Sequence, residues 1–184
     1  NASQFSNSPI AGQGGLIETS GHTLDTHQVQ INAGAAAGGK AGQWLLDPYT
    51  YTISASAASS IGTALNTADV FITTSNNVVS YGSSGNSGDT GDINFNASIA
   101  KTATSGTTTL TLQAARRINM SASGTNTITS AAGGPLNVVL WANFSGGAPG
   151  AAAAGGVSNL NSITTNGGFV WVGGEIGRAS CRER

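Results

Sequence analysis

Apolar residues along much of this chain alternate with Ser, Thr and Asn at a period of two. That spacing sends successive side chains to opposite faces of a strand, one buried and one wet. The clearest runs are Val29-Gln30-Ile31-Asn32, Tyr51-Thr52-Ile53-Ser54 and Val70-Phe71-Ile72-Thr73-Thr74. Asp92-Ile93-Asn94-Phe95-Asn96, Thr109-Leu110-Thr111-Leu112-Gln113, Ile118-Asn119-Met120-Ser121 and Thr127-Ile128-Thr129 follow. Leu136-Asn137-Val138-Val139-Leu140-Trp141 and Gly168-Phe169-Val170-Trp171-Val172 close the set. Turn-formers separate the runs, among them Ser83 to Gly88, Gly133-Gly134-Pro135, Ser145 to Gly150 and Asn166-Gly167-Gly168. Only Ala57 to Ala68 departs from alternation, with Ile61, Ala64, Leu65 and Ala68 at helical spacing. It predicts a short surface helix or loop at residues 57–68. The Ala/Gly-rich stretch Gly146 to Gly156 predicts a protruding loop.

The main strands recur at roughly 20 to 30 residues, the spacing of stacked repeats. Each repeat buries its inward side chains only against its neighbours. The expected fold is therefore all-β, a right-handed parallel β-helix over residues 1–174. A β-sandwich is the rival, but it would need more tight two-residue turns between successive strands than the chain supplies.

Composition sharpens this picture. Only 8% of residues are charged, against about 25% in ordinary soluble domains. Short neutral side chains stack along a ladder without the repulsion that repeated charges produce. With 39% hydrophobic residues and a net charge of −1, the chain lacks the signature of disorder. It also lacks the basic stripe that nucleic-acid binding requires. It begins at Asn1 with no apolar leader, so an internal piece of a longer protein is expected, with any export signal upstream.

The last ten residues, Glu175 to Arg184, break the style of everything before them. They hold three of the seven basic residues, two of the eight acidic ones and the only cysteine, Cys181. The codons GAG ATC GGA AGA GCG TCG TGT AGG GAA AGA, a common sequencing adapter, translate to these ten residues in order. Residues 175–184 are therefore expected to be foreign to the fold, on a gene fragment read from environmental DNA. Without them the chain has no cysteine, hence no disulfide or thiolate metal site. Its net charge becomes −2.

One stretch carries a family resemblance. Gly14-Gly15-Leu16-Ile17-Glu18-Thr19-Ser20-Gly21-His22-Thr23-Leu24 precedes Gly39-Lys40-Ala41-Gly42-Gln43-Trp44-Leu45-Leu46-Asp47-Pro48 and Tyr51-Thr52-Ile53. This resembles a recurring signature of filamentous-haemagglutinin-like exoproteins of the two-partner secretion type, and the similarity runs from about Gly12 to Trp141. The resemblance implies a very long bacterial β-helical protein. An outer-membrane partner transporter would secrete it to the medium or the cell surface. Many members act as adhesins on host or neighbouring cells, meeting a surface glycan or protein, or as contact-dependent toxins with distant active domains.

The signature also has a physical reading. Trp44, Leu45 and Leu46 would plug the coil interior. Asp47-Pro48 would end a strand, because proline cannot donate to the ladder. Glu18 reads as a structural carboxylate accepting backbone N–H bonds at a turn.

Candidate chemistry is sparse. His22, Asp25 and His27 could begin a metal site, but zinc needs a third firm ligand in fixed geometry, and solvent-exposed turn polarity is the default. Gly85 to Asp92 resembles a Gly/Asp calcium repeat that occurs once, where several in register are needed. Arg116-Arg117 reads as a solvated pair pointing to opposite faces. Asn-x-Ser/Thr triplets at Asn1, Asn96, Asn119 and Asn143 arise readily in so polar a chain. No catalytic, cofactor or metal residue is assigned and no cofactor is implied. The expected role is a structural or adhesive surface segment. The alternatives are a β-helical polysaccharide lyase or hydrolase, which would need carboxylates clustered at one cleft, and a ligand-free structural fibre.

Overall fold

The computed structural model describes residues 12–36, 38–75, 90–120, 125–144 and 156–174. They form thirteen strands and one helix. The first strands are β1 (Leu16–Ser20), β2 (Gly42–Asp47) and β3 (Tyr51–Ile53). Helix α1 (Ala55–Ala64) precedes β4 (Ala68–Thr73), β5 (Ile93–Phe95), β6 (Ile99–Lys101) and β7 (Thr108–Ala114). Then come β8 (Arg117–Asn119), β9 (Ile128–Ser130) and β10 (Leu136–Ala142). β11 (Gly156–Ser158), β12 (Ile163–Thr164) and β13 (Val170–Gly174) complete the order.

Every described strand pairing is parallel. A six-stranded sheet runs β1-β2-β4-β7-β10-β13, a four-stranded one β11-β8-β5-β3 and a three-stranded one β12-β9-β6. From β5 onward the chain visits the four-, three- and six-stranded sheets in turn, three times over.

Alternation does the packing. In the six-stranded sheet one inward column runs Thr19, Leu46, Ile72, Leu112, Leu140, Val172. Its four central members are fully buried. The neighbouring column runs Ile17, Trp44, Val70, Leu110, Val138, Val170. Trp44 fills the interior as expected, and its indole N–H donates to Thr19 Oγ1 at 3.0 Å. Leu45 does not join it. The period of two turns this residue outward, half-buried, between Glu18 and Phe71 in the register. β2 ends at Asp47, ahead of Pro48.

The helix covers residues 55–64 rather than 57–68. Ser54 caps it, its hydroxyl accepting from Ala57 N at 3.2 Å, and Ala68 already belongs to β4. One face of it, Ala55, Ser59 and Thr63, is exposed as expected of a surface helix, and the other faces inward. Ala57, Ala58, Ser60, Ile61, Gly62 and Ala64 are buried. It packs along β6, the strand that edges the three-stranded sheet. There it covers backbone groups that would otherwise template aggregation. Asn66 completes the seam, its side-chain oxygen accepting from Thr102 N at 3.0 Å and Ala103 N at 2.7 Å.

Val29–Asn32 is not a strand. A turn in which Val29 N donates to Thr26 O, next to Gln28 at φ 58°, precludes a ladder there. Val29 and Ile31 still pack against the core. β1, β6, β11 and β12 were not expected. β1 reads Leu-Ile-Glu-Thr-Ser, without apolar alternation, and the others hold three, three and two residues. The expected turns at Ser83 to Gly88 and Ser145 to Gly150 lie outside the described residues. So do all but the last residue of the Gly146 to Gly156 loop, and the tail 175–184.

Candidate functional site

The outward face of the six-stranded sheet changes character along its length. Glu18, Gln43, Asp47 and Asp69 occupy outward positions on β1, β2 and β4. β7 presents Thr109, Thr111 and Gln113, all neutral. Leu16, Leu45 and Phe71 share that parity, and on β10 and β13 aromatic and aliphatic side chains gather again. Val139 registers with Trp171 and Trp141 with Gly173, while Phe169 N donates to Asn137 Oδ1 at 3.2 Å. Trp141, Phe169 and Trp171 are 38%, 55% and 46% exposed, far from the usual fate of large aromatics.

Backbone geometry brings them together. Strand neighbours in a sheet lie about 4.8 Å apart, so residues on β10 and β13 share one patch. The Trp141 and Trp171 ring centroids are 6.2 Å apart with planes at 81°, an edge-to-face pair. Phe144 meets Trp141 at 6.3 Å and 70°. Gly173 makes the arrangement possible. A Cβ there would lie 2.6 Å from the Trp171 six-membered ring, so the indole reaches toward Trp141 across a position without a side chain. Val139, Trp141, Phe169, Val170 and Trp171 line a shallow recess of about 450 Å³. By register Val170 belongs to the inward parity beside Val138, so the outward wall is the other four. Asn137 holds its rim, donating to Thr109 Oγ1 at 3.4 Å while accepting from Phe169 N.

A larger open groove, about 770 Å³, lies between the loops that carry Asn32, Asn66, Thr67, Ser105 and Thr107. Its lining is small and neutral, with no titratable side chain.

The residues weighed from sequence lie elsewhere. His22 packs edge-on to Tyr49 at 4.8 Å, while Asp25 Oδ1 accepts from His27 N at 2.8 Å. Among the described residues no three of His, Cys, Asp and Glu converge as metal ligands would. Glu18 sits in the middle of β1, exposed, accepting from the Ser20 hydroxyl rather than from backbone at a turn. Burial, then the Glu18 charge, pushes the Asp47 carboxyl above its ordinary range. Arg116 is not a solvated residue. Its guanidinium grips Asp92, with Nε at 2.7 Å from Oδ1, and Asp92 also accepts from Arg117 N at 3.2 Å. Burial of Lys101 pulls its ammonium below the usual lysine range, and Nζ donates to the Gly106 and Pro135 carbonyls. Asn96 is exposed just beyond β5, whereas the Asn119 amide accepts from Asn159 Nδ2 at 2.9 Å. Of the single Gly/Asp segment only residues 90–92 are described, and Asp92 there holds Arg116.

Sequence reasoning passed over the aromatic patch although a signal was present. Positions 139, 141, 169 and 171 are the slots where alternation calls for a polar side chain, and each holds a Val, Trp or Phe. Comparison with known proteins adds no relative: the chain matches no protein-family model, no curated protein and no solved structure.

Proposed function

We propose that this chain is a right-handed parallel β-helical segment of a large exported exoprotein of the filamentous-haemagglutinin-like type. Its role is attachment. The cyclic passage through three parallel sheets supports the coil, since stacked turns of one helix give pairings of this kind. Parallel crossovers of this sort are right-handed in nearly every known case. The charge-poor composition and the Gly14 to Pro48 signature support the exoprotein family, and with it secretion through an outer-membrane partner to the cell surface. The observation that carries attachment is the exposed, edge-to-face Trp141–Trp171 pair, gathered with Phe169 and Val139 into one apolar recess on the outward sheet face. Contiguous exposed apolar surface of this kind marks interaction sites.

A β-helical lyase or hydrolase draws less support. It needs carboxylates gathered at one cleft. Here Asp69 is tied to Thr109 N, Asp92 to Arg116, and Asp25 to its own turn.

Export and adhesion of the full-length protein test the proposal. Deleting the partner transporter should abolish its appearance in the medium, and purified protein should bind cells saturably. Secretion that continues without the partner would overturn the family reading. Absence of saturable cell binding would overturn attachment.

A further inference from the structure

The same patch has a chemistry specific enough to name its ligand, an inference that rests on the attachment reading. We propose that Trp141, Trp171, Phe169 and Val139 form a platform for the apolar face of a hexopyranose in a neutral glycan.

Three observations select that class. The first is ring geometry. In an edge-to-face pair with planes at 81° the ring contributing its edge keeps its faces off its partner. An indole face carries negative quadrupolar potential, and the axial C–H groups of a pyranose carry slight positive charge. One ring can therefore act as floor and the other as wall. The second is charge. The rim of the patch is Asn137, and the adjacent strand offers Thr109, Thr111 and Gln113, hydroxyls and amides without a formal charge. Sugar hydroxyls find donors and acceptors there, and a sulfated or sialylated glycan finds no cation among these residues. The third is size. A stable protein partner engages about 20 to 30 residues a side, whereas four outward side chains suffice for one or two sugar rings. Trp171 and Phe169 point to the face opposite Val170 and Val172, which share the inward parity.

The experiment is a titration of the whole chain with neutral oligosaccharides (lactose, cellobiose and a maltose series). It is followed by saturation-transfer NMR and intrinsic tryptophan fluorescence. At least one series should bind in the millimolar range, with transfer strongest to the C–H protons of one ring face. Trp171→Ala and Trp141→Ala should each weaken binding roughly tenfold, and Trp171→Phe should restore part of it. Circular dichroism confirms that the variants fold, as their exposed positions lead one to expect. No transfer from any neutral sugar at about 10 mM would overturn the proposal. So would binding unchanged in both Ala variants, self-association that depends on Trp171 without sugar binding, or Trp171-dependent binding to phosphatidylcholine vesicles alone. Cell attachment of the full-length protein that survives the double Ala change would remove this inference and leave the attachment reading standing.

Discussion

Asp92 shows how a scarce charge is used in a chain with so few. The residue is nearly buried, and its carboxylate satisfies the Arg116 guanidinium and the Arg117 backbone N–H together. Pairing with Asp92 holds the Arg116 guanidinium still more firmly protonated than usual. Removing the acceptor takes it from three donors, Arg116 Nε, Arg116 Nη2 and Arg117 N, whereas removing the cation leaves the carboxylate its Arg117 bond. Asp92→Ala should therefore cost about 1.5–3 kcal/mol and exceed Arg116→Ala in urea unfolding. Equal losses would show that the Arg117 bond contributes nothing. Asp69 yields a pH prediction. Burial raises its carboxyl above the ordinary range, against the opposing Thr109 N–H, Lys40 and Lys101. The folded state then holds a proton that the unfolded chain has released, over a window starting near about pH 3.9. Its contribution to stability is present below that value and is lost as pH rises through the folded one. Asp69→Asn keeps an oxygen for Thr109 N, which now sits 2.7 Å from Asp69 Oδ1. The variant, a neutral isostere of the protonated acid, should match the parent near pH 4, exceed it near neutrality and lack the parent's decline when unfolding is followed from pH 4 to 7.

At the scale of elements, α1 reveals a conflict between propensity and packing. Gly62 lies inside a helix, where Ala would ordinarily gain about 1 kcal/mol. A Cβ at that position would meet Ala100 O of β6 at 2.4 Å. Backbone cannot swing aside as a side chain can, so close approach decides the sign. Gly62→Ala should lower the melting temperature despite the better helix former, whereas a rise would mean that α1 does not seat on β6. The short strands follow a related logic. β6, β9 and β12 span two or three residues each, below the length at which a lone strand is stable. β9 is held by β6 and β12 on either side, and each of those two by β9 alone.

For the whole molecule, position in the sheet sets the value of a side chain. Leu112 and Val172 share one inward column, yet Leu112 is fully buried between Ile72 and Leu140 while Val172 is 43% exposed on the terminal strand. Leu112→Ala should cost about 2–5 kcal/mol through lost burial and a cavity. Val172→Ala should cost less than about 1 kcal/mol, because much of its surface is already wet. Comparable losses from denaturant titration would show that Val172 is covered in solution, which would place further chain against β13.

The alternation in the sequence determined strand character, the inward parity of most core residues and the stop at Asp47-Pro48, because period two is a local property of extended backbone. Tyr51, Val70, Ile72, Leu110, Leu112, Val138 and Leu140 were all legible as core in this way. Tertiary structure alone decided what depends on neighbours. It replaced the Val29 strand with a turn and seated α1 against β6. It also took Arg116 out of solvent to Asp92. The candidate site belongs to both levels. Four apolar residues in polar slots were visible along the chain, but residues some thirty positions apart become one surface only when parallel pairing sets β13 beside β10 in register.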